Sequence, residues 1–387
     1  MKKSQTFLLP VLVVLGLLSG GLTGYFKRTV KETNEPAETL SQQEKLQTDT
    51  FSLKFFHQVL QEQKGNIMVT PHTVSEALQE LQGIAAGKTQ EDLAALQLTQ
   101  AKALREPEPF RNVLLTVDIN VPRTEGEHAV LPLRYSENLP DALSFFNRVL
   151  AQGSPDSNAQ FATSDMVNTR TRLLLGAAIY CNLSNHLPFH AEHSRMDDFD
   201  SATGAMPRYH QMRSRGLYHT AKAEDGAWQA VAFPLCQQSK TPLVLICIRP
   251  AGSARQFAES LTPELLTQIR ETLATSTPED TLVELPRLEF QVRPYDMRYT
   301  LRRLGLTSLF DTSTADFSRL TPDKIHLNAL VHASGITIAE NKQKANTPAS
   351  ELEQAKNRIS FSRPFIWIVA DLSTNAPLEY IGLVEEM

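Results

Sequence analysis

Apolar positions recur along this chain with two distinct periods. Phe51, Phe55 and Val59, with Phe56 and Leu60 beside them, fall three and four residues apart, which predicts an amphipathic helix over Phe51 to Leu60. Thr70-Pro71 predicts the opening of a second helix, because proline is tolerated at a first helical position. Val74, Ala77, Leu78 and Leu81 form its apolar face, and if it starts at Thr73, Thr73 and Glu76 have capping-box spacing. Leu139 to Gln152 predicts a further helix with Ala142, Leu143, Phe146 and Val149 on one side. Gly335 to Glu340 is β-branched and apolar and reads as a strand; Ile359 to Ala370 resumes that character. Between them lies a polar, glycine-free run of roughly twenty residues, a length uncommon for a connection unless the loop is functional or disordered.

The N-terminus has a different pattern. Met1-Lys-Lys precedes the apolar run Phe7 to Leu18, and Ser19-Gly20-Gly21 follow. A basic start, an apolar stretch and small residues predict a secretory signal over residues 1–26. The alternative is an uncleaved anchor, since residues 7–25 are about long enough to cross a bilayer and Lys27-Arg28 follow them. Either way the chain is expected outside the cytoplasm, secreted or tethered. Residues 27–48 are polar and charged and read as a flexible linker, leaving 49–387 as the folded domain.

With 387 residues and 41% hydrophobic content the chain can bury a sizeable core. A net charge of −5 gives no electrostatic footprint for nucleic acid. Cys181, Cys236 and Cys247 are too few and too scattered for a disulfide framework and read as buried apolar residues. His186, His190 and His193, with Glu192, form a metal-like cluster, but Pro188 breaks any helix that would put two of them on one face. They read as solvated loop histidines rather than zinc ligands. The charged residues from Arg293 to Arg303 read as a solvated helix face. Asn182-Leu183-Ser184 is a glycosylation sequon. There is no Gly-x-Ser-x-Gly elbow, no His-Glu-x-x-His and no glycine-rich phosphate loop, so neither an enzyme nor a cofactor is expected.

Several motifs, in one order, carry a family resemblance. Glu340 ends a strand, a loop follows, and Phe361-Ser-Arg-Pro-Phe365 opens the next strand. Leu285-Pro286-Arg287-Leu288, then Leu301 to Leu306, then Ala315-Asp-Phe-Ser318 follow one another at close spacing, and Asn66 to Leu78 reads NIMVTPHTVSEAL. In these residues the chain resembles the serpin family, over nearly all of Phe51 to Glu386. The resemblance implies an α+β fold: a large, mostly antiparallel central sheet with smaller sheets, surrounding helices and an exposed reactive-centre loop, in a monomer without cofactor. It also implies that Gly83-Ile-Ala-Ala-Gly87-Lys-Thr89 leads into a helix, that Leu173 to Tyr180 is the central strand, and that one helix and its connection are trimmed between Arg105 and Asp165. Thr70 and Thr73 would stand for two serines that hydrogen-bond beneath the sheet opening. The family's usual Asn on the central strand falls here on Ala177 and its usual Trp near Asn185, so His332, which the Asn normally contacts, needs another partner.

The mechanism that the resemblance implies is a suicide trap for a serine protease. The protease cuts the exposed loop, and the freed loop inserts as a new strand into the large sheet before the acyl-enzyme hydrolyses. Where the family has small residues in its hinge, this chain has Asn341, Lys342, Gln343, Lys344, Ala345, Asn346, Thr347 and Pro348 after Glu340. Lys342 takes a glycine position, Gln343 would be pressed into the core, and Pro348 removes a ladder donor. Counting along the family's spacing places the scissile residue at Lys356, with Asn357, Arg358 and Ile359 around it, and Lys356 or Arg358 would suit a trypsin-like protease. Two functions are therefore expected in competition: a serine-protease inhibitor, and a non-inhibitory binding or carrier module with the same fold.

Overall fold

The computed structural model describes residues 42–98, 109–122, 130–152, 154–155, 158–235, 243–372 and 378–387. The predicted signal or anchor at 1–26 and the linker up to residue 41 lie outside the described residues, as does Cys236. In chain order the elements are α1 (Gln42–Glu62), β1 (Ile67–Val69), α2 (Pro71–Ile84), α3 (Gly87–Ala94), β2 (Phe110–Asp118), β3 (Leu131–Leu133), α4 (Leu139–Leu150) and β4 (Leu173–Asn182). After them come β5 (Arg195–Asp198), β6 (Arg208–Lys222), β7 (Trp228–Pro234), β8 (Leu243–Pro250), α5 (Ala254–Ser260) and α6 (Pro263–Thr275). The C-terminal part holds β9 (Glu279–Pro286), β10 (Leu288–Asp296), α7 (Arg298–Arg303), β11 (Leu327–Ile338), α8 (Ala349–Leu352), β12 (Asn357–Ser360), β13 (Phe365–Asp371) and β14 (Tyr380–Val384).

Two sheets organise these strands. A nine-stranded sheet runs β1-β14-β13-β8-β7-β6-β9-β12, with β5 paired to β6, and a five-stranded sheet runs β10-β11-β4-β2-β3. In the second sheet β4 and β11 are parallel neighbours, in register from Leu173 opposite Leu327 to Asn182 opposite Thr337. Each then pairs antiparallel on its other side, β4 with β2 and β11 with β10. Leu173 to Ala178 are buried without alternation because helices cover both faces.

One cover is α2, whose Val74, Ala77, Leu78 and Leu81 are fully buried. The other is α4, which approaches β4 so closely that a Cβ on Gly176 would lie 2.6 Å from Phe146 Cζ and 2.9 Å from Leu150 Cδ2. A second core joins the nine-stranded sheet to the upper part of β4 and β11, around Trp367, Phe233, Phe189 and Ile336. Gly87 opens α3 at φ +47°, where a Cβ would meet Asp316 Oδ2 at 2.7 Å, and Thr89 Oγ1 accepts from the Asp316 backbone N at 2.9 Å. The Gly-x-Thr segment is thus a docking joint for residues 315–318.

Three boundaries differ from expectation. α1 begins at Gln42, so residues 42–48 are helical rather than linker. α2 begins at Pro71, so the Thr73 capping box does not form, and the Thr73 hydroxyl is buried without a partner. The apolar run from Ile359 is two strands, because Pro364 lacks an N–H for a ladder and separates β12 from β13.

Gly176→Ala is expected to destabilise the protein by about 1–3 kcal/mol through overpacking against Phe146 and Leu150. The fall in urea midpoint at unchanged slope measures it.

Candidate functional site

The site is the segment from Glu340 to Ser360 with the surfaces that hold it. Glu340 leaves β11 only 9% exposed. Its Oε1 accepts from Ser194 Oγ at 2.6 Å, and its Oε2 from Arg287 Nε at 2.9 Å and Nη2 at 2.5 Å. Burial alone would raise the Glu340 pKa, but the hydrogen bonds from Ser194, the backbone and Arg287 hold it below the usual carboxylate range.

Beyond Glu340 the chain lies along residues 187–193. The Asn341 backbone N donates to Phe189 O at 2.8 Å and its Nδ2 to Leu187 O at 2.9 Å. His190 Nδ1 donates to Gln343 O at 3.0 Å and His193 Nε2 to Thr347 O at 2.8 Å. His193 is 6% exposed. The reading of these histidines as solvated therefore holds for the exposed His186 but not for His193, and His190 is half-buried. Lys342, Gln343 and Pro348 are exposed in this closed form, with Ala345 half-buried.

The far side of the loop is held by charge. Pro348 precedes the short helix α8, which buries Leu352. β12 then pairs parallel with β9, Asn357 opposite Thr281 and Ser360 opposite Glu284. Glu284 is 1% exposed and accepts from Arg358 Nη2 at 2.7 Å, Arg213 Nε at 3.2 Å and Arg195 Nη2 at 3.3 Å, while its Oε2 accepts from Arg358 Nε at 3.1 Å. Glu353 pairs with Arg213, and Arg215 Nη1 donates to Glu351 O at 2.7 Å. Ile359 is 1% exposed. Of the residues around the expected scissile position, Asn357, Arg358 and Ile359 belong to the paired strand β12. Lys356 is exposed immediately ahead of that strand.

Beneath the β4 and β11 pair, His332 is 5% exposed. Its Nδ1 donates to Ala177 O at 3.1 Å, which leaves Nε2 to accept from Thr70 Oγ1 at 2.6 Å. The backbone of Ala177 and the Thr70 hydroxyl thus replace the missing amide. Burial pushes the His332 pKa down to about 4, against the small upward pull of Ala177 O, so the ring is neutral. Thr73, predicted as a second hydroxyl here, makes no such bond.

A neighbouring buried cluster escaped the sequence. His72 Nδ1 lies 3.0 Å from Glu379 Oε1 and its Nε2 3.2 Å from Glu76 Oε1, the second an ion-pair distance without hydrogen-bond alignment. Arg111 on β2 donates to Glu76 at 3.1 Å and pairs with Glu379. Burial would lower the His72 pKa, but Glu379 foremost, and then Glu76, raise it above the ordinary value despite Arg111. The signal for such clusters is a charge inside an apolar run, as with Glu284 in Thr281-Leu-Val-Glu-Leu285 and Glu379 before Tyr380-Ile381. Periodicity marks these positions without naming their partners. Among the described residues no three His, Cys, Asp or Glu side chains are arranged to hold a metal, and no helix is long and apolar enough to cross a membrane.

The family model described as Serpin (serine protease inhibitor) matches residues 140–385. The serine proteinase inhibitor A3K of Cavia porcellus is 27% identical over 205 residues, 51% of this chain and 47% of that protein. The chain thus spans about half the length of that relative, whereas human glia-derived nexin is 22% identical over 368 residues, 86% of this chain and 91% of the nexin. A crystal structure of maspin superposes with a TM-score of 0.77 at 16% identity, over 89% of this chain and 98% of that one, which establishes the fold.

The two buried histidines act on opposite sides of pH 6.5. The lowered pKa of His332 gives a contribution complete above 6.5 and lost as pH falls toward 4, on the order of 3 kcal/mol. The raised pKa of His72 gives one complete below 6.5 and lost as pH rises through its folded value. Urea midpoints measured from pH 4.5 to 8.5 are expected to show a shallower acid limb in His332→Gln and a flattened alkaline limb in His72→Gln.

Proposed function

The chain belongs to the serpin family, and from that premise we propose that it is an exported inhibitor that offers residues 341–356 as bait to a trypsin-like serine protease. Export rests on the basic and apolar start of the chain, with residues 7–25 as the segment that would tether an uncleaved form. The observation that carries the reading is the closed pair of parallel strands β4 and β11 with the loop still outside them. A strand entering between them would run antiparallel to both, replacing one parallel pairing by two antiparallel ones, which are more stable per residue.

Cleavage at Lys356–Asn357 fits the anchoring. The protease nucleophile attacks the Lys356 carbonyl, the Asn357 amine leaves with the proton, and the acyl-enzyme carries residues up to Lys356. Asn357 to Ser360 stay behind, paired with β9 and held through Arg358 to Glu284. Everything between Glu340 and Lys356 is then free at one end to enter the sheet.

A second reading, a non-inhibitory binding or carrier module, is favoured by the hinge. Lys342 and Gln343 are exposed before cleavage and would have to be placed against the sheet, and Pro348 cannot donate to a central ladder. Insertion and deacylation race, so each of these slows the step that must win.

Incubating the full chain with an equal amount of trypsin is expected to give a protease-sized upward shift that survives boiling on a denaturing gel. Lys356→Ala is expected to reduce cleavage after residue 356 by at least about a hundredfold, while Arg358→Ala leaves the site of cleavage unchanged. Replacing Lys342, Gln343 and Pro348 by Gly, Thr and Ala should raise the trapped fraction. Cleavage after Lys356 without any boiling-resistant band, in the parent and in that hinge variant, would favour the binding module.

A further inference from the structure

We propose that His190 and His193 form a clasp that holds the hinge of the reactive loop against residues 187–193 and thereby sets how readily the loop leaves its closed position. Among the described residues, the segment 341–347 has no strand partner beyond a single bridge between Asn341 and His190. Beyond the backbone bond from Asn341 N to Phe189 O, its fixed points are side chains: Asn341 Nδ2 on Leu187 O, His190 Nδ1 on Gln343 O and His193 Nε2 on Thr347 O. The two histidine bonds grip carbonyls at either end of the hinge run, Gln343 and Thr347, and both carbonyls must turn away before the hinge can enter between β4 and β11.

The geometry is that of placed rings rather than of side chains resting on a surface. His193 is 6% exposed, and its Nδ1 is buried without a partner, so its ring keeps an orientation that leaves one nitrogen unmet while the other reaches Thr347 O. His190 stands edge-on to it, with ring centroids 5.9 Å apart at 81°. Both rings come from a connection made rigid by buried Leu187 and Phe189, which belong to the second core. The hinge is thus tied to the core by residues that bear no charge complementarity to Lys342 or Lys344 and act through backbone acceptors alone. Any hinge sequence that keeps its carbonyls in place would be held in the same way.

The clasp itself is read from geometry; its consequence for trapping rests on the bait function proposed above. Hydrogen exchange of the full chain, followed by mass spectrometry on overlapping peptides that resolve the amides of Asn341 and Gln343 within 341–347, tests it directly, because those amides are bonded to Phe189 O and Asn341 Oδ1 and report local opening whether or not the loop ever inserts. Loss of one ordinary hydrogen bond corresponds to about a fivefold gain in opening, so His190→Ala and His193→Ala are each expected to accelerate exchange by about that factor and the double variant by more. His190→Asn and His193→Gln, which keep a donor near the original nitrogen, are expected to stay near the parent. Peptides from β13 serve as the control for an intact fold. Unchanged exchange at 341–347 in the double alanine variant overturns the clasp, and so does equal acceleration in the Asn and Gln variants, which would assign the effect to packing. If the double alanine variant does not fold, the single variants and their donor-keeping counterparts decide the same question. Faster exchange with no gain in trapped protease upholds the clasp and counts against the bait function instead.

Discussion

Between β4 and β11 the backbone hydrogen bonds slant, because both strands run the same way. Parallel pairing is slightly weaker per residue than antiparallel pairing. A seam flanked by antiparallel pairs on both sides is therefore the place where the sheet can gain most by accepting a strand. His332 sits beneath it, tied to β4 through Ala177 O and to the start of α2 through Thr70 Oγ1. Because the ring is neutral and both its nitrogens are used, parting the strands separates at least one polar pair in a dry interior, which works as a threshold against opening.

The loop that would enter this seam is tied down at both ends by buried carboxylates. Glu340 is met by Ser194 and Arg287 where β11 ends, and Glu284 by Arg358, Arg213 and Arg195 where β12 begins. Breaking such a buried pair by removing one partner typically costs about 3–5 kcal/mol, since it strands a charge, although the exposed side of Arg358 softens that cost here. The consequence is geometric. The exposed residues of the loop lie between the two carboxylates, and Lys356 is an exposed basic residue at the far limit of that stretch.

The elements that could be read from the sequence are those whose burial is one-sided or continuous. The helical spacing from Phe51 to Leu60 and from Leu139 to Gln152 recurs in α1 and α4, and the ordered motifs found the family and with it the sheet. The polar core escaped, because a residue such as Glu284 or His72 is placed by partners far away in sequence. The same holds for His190 and His193: local spacing could dismiss a metal site around Pro188, but the carbonyls they grip lie more than a hundred and fifty residues downstream. Counting along the loop arrives at Lys356 but carries no information on where a strand resumes; pairing with β9 decides that Arg358 lies within β12.

A closed seam ready to take the loop as a strand should make the cut protein more stable than the intact one. The direct measurement is the thermal unfolding midpoint of the full chain before and after a single cut between Pro348 and Lys356. A midpoint that rises by about 10 °C or more after cleavage is the result this account predicts, because the inserted segment completes the sheet. A midpoint that stays the same or falls would contradict it, leaving a loop that is cut but never received.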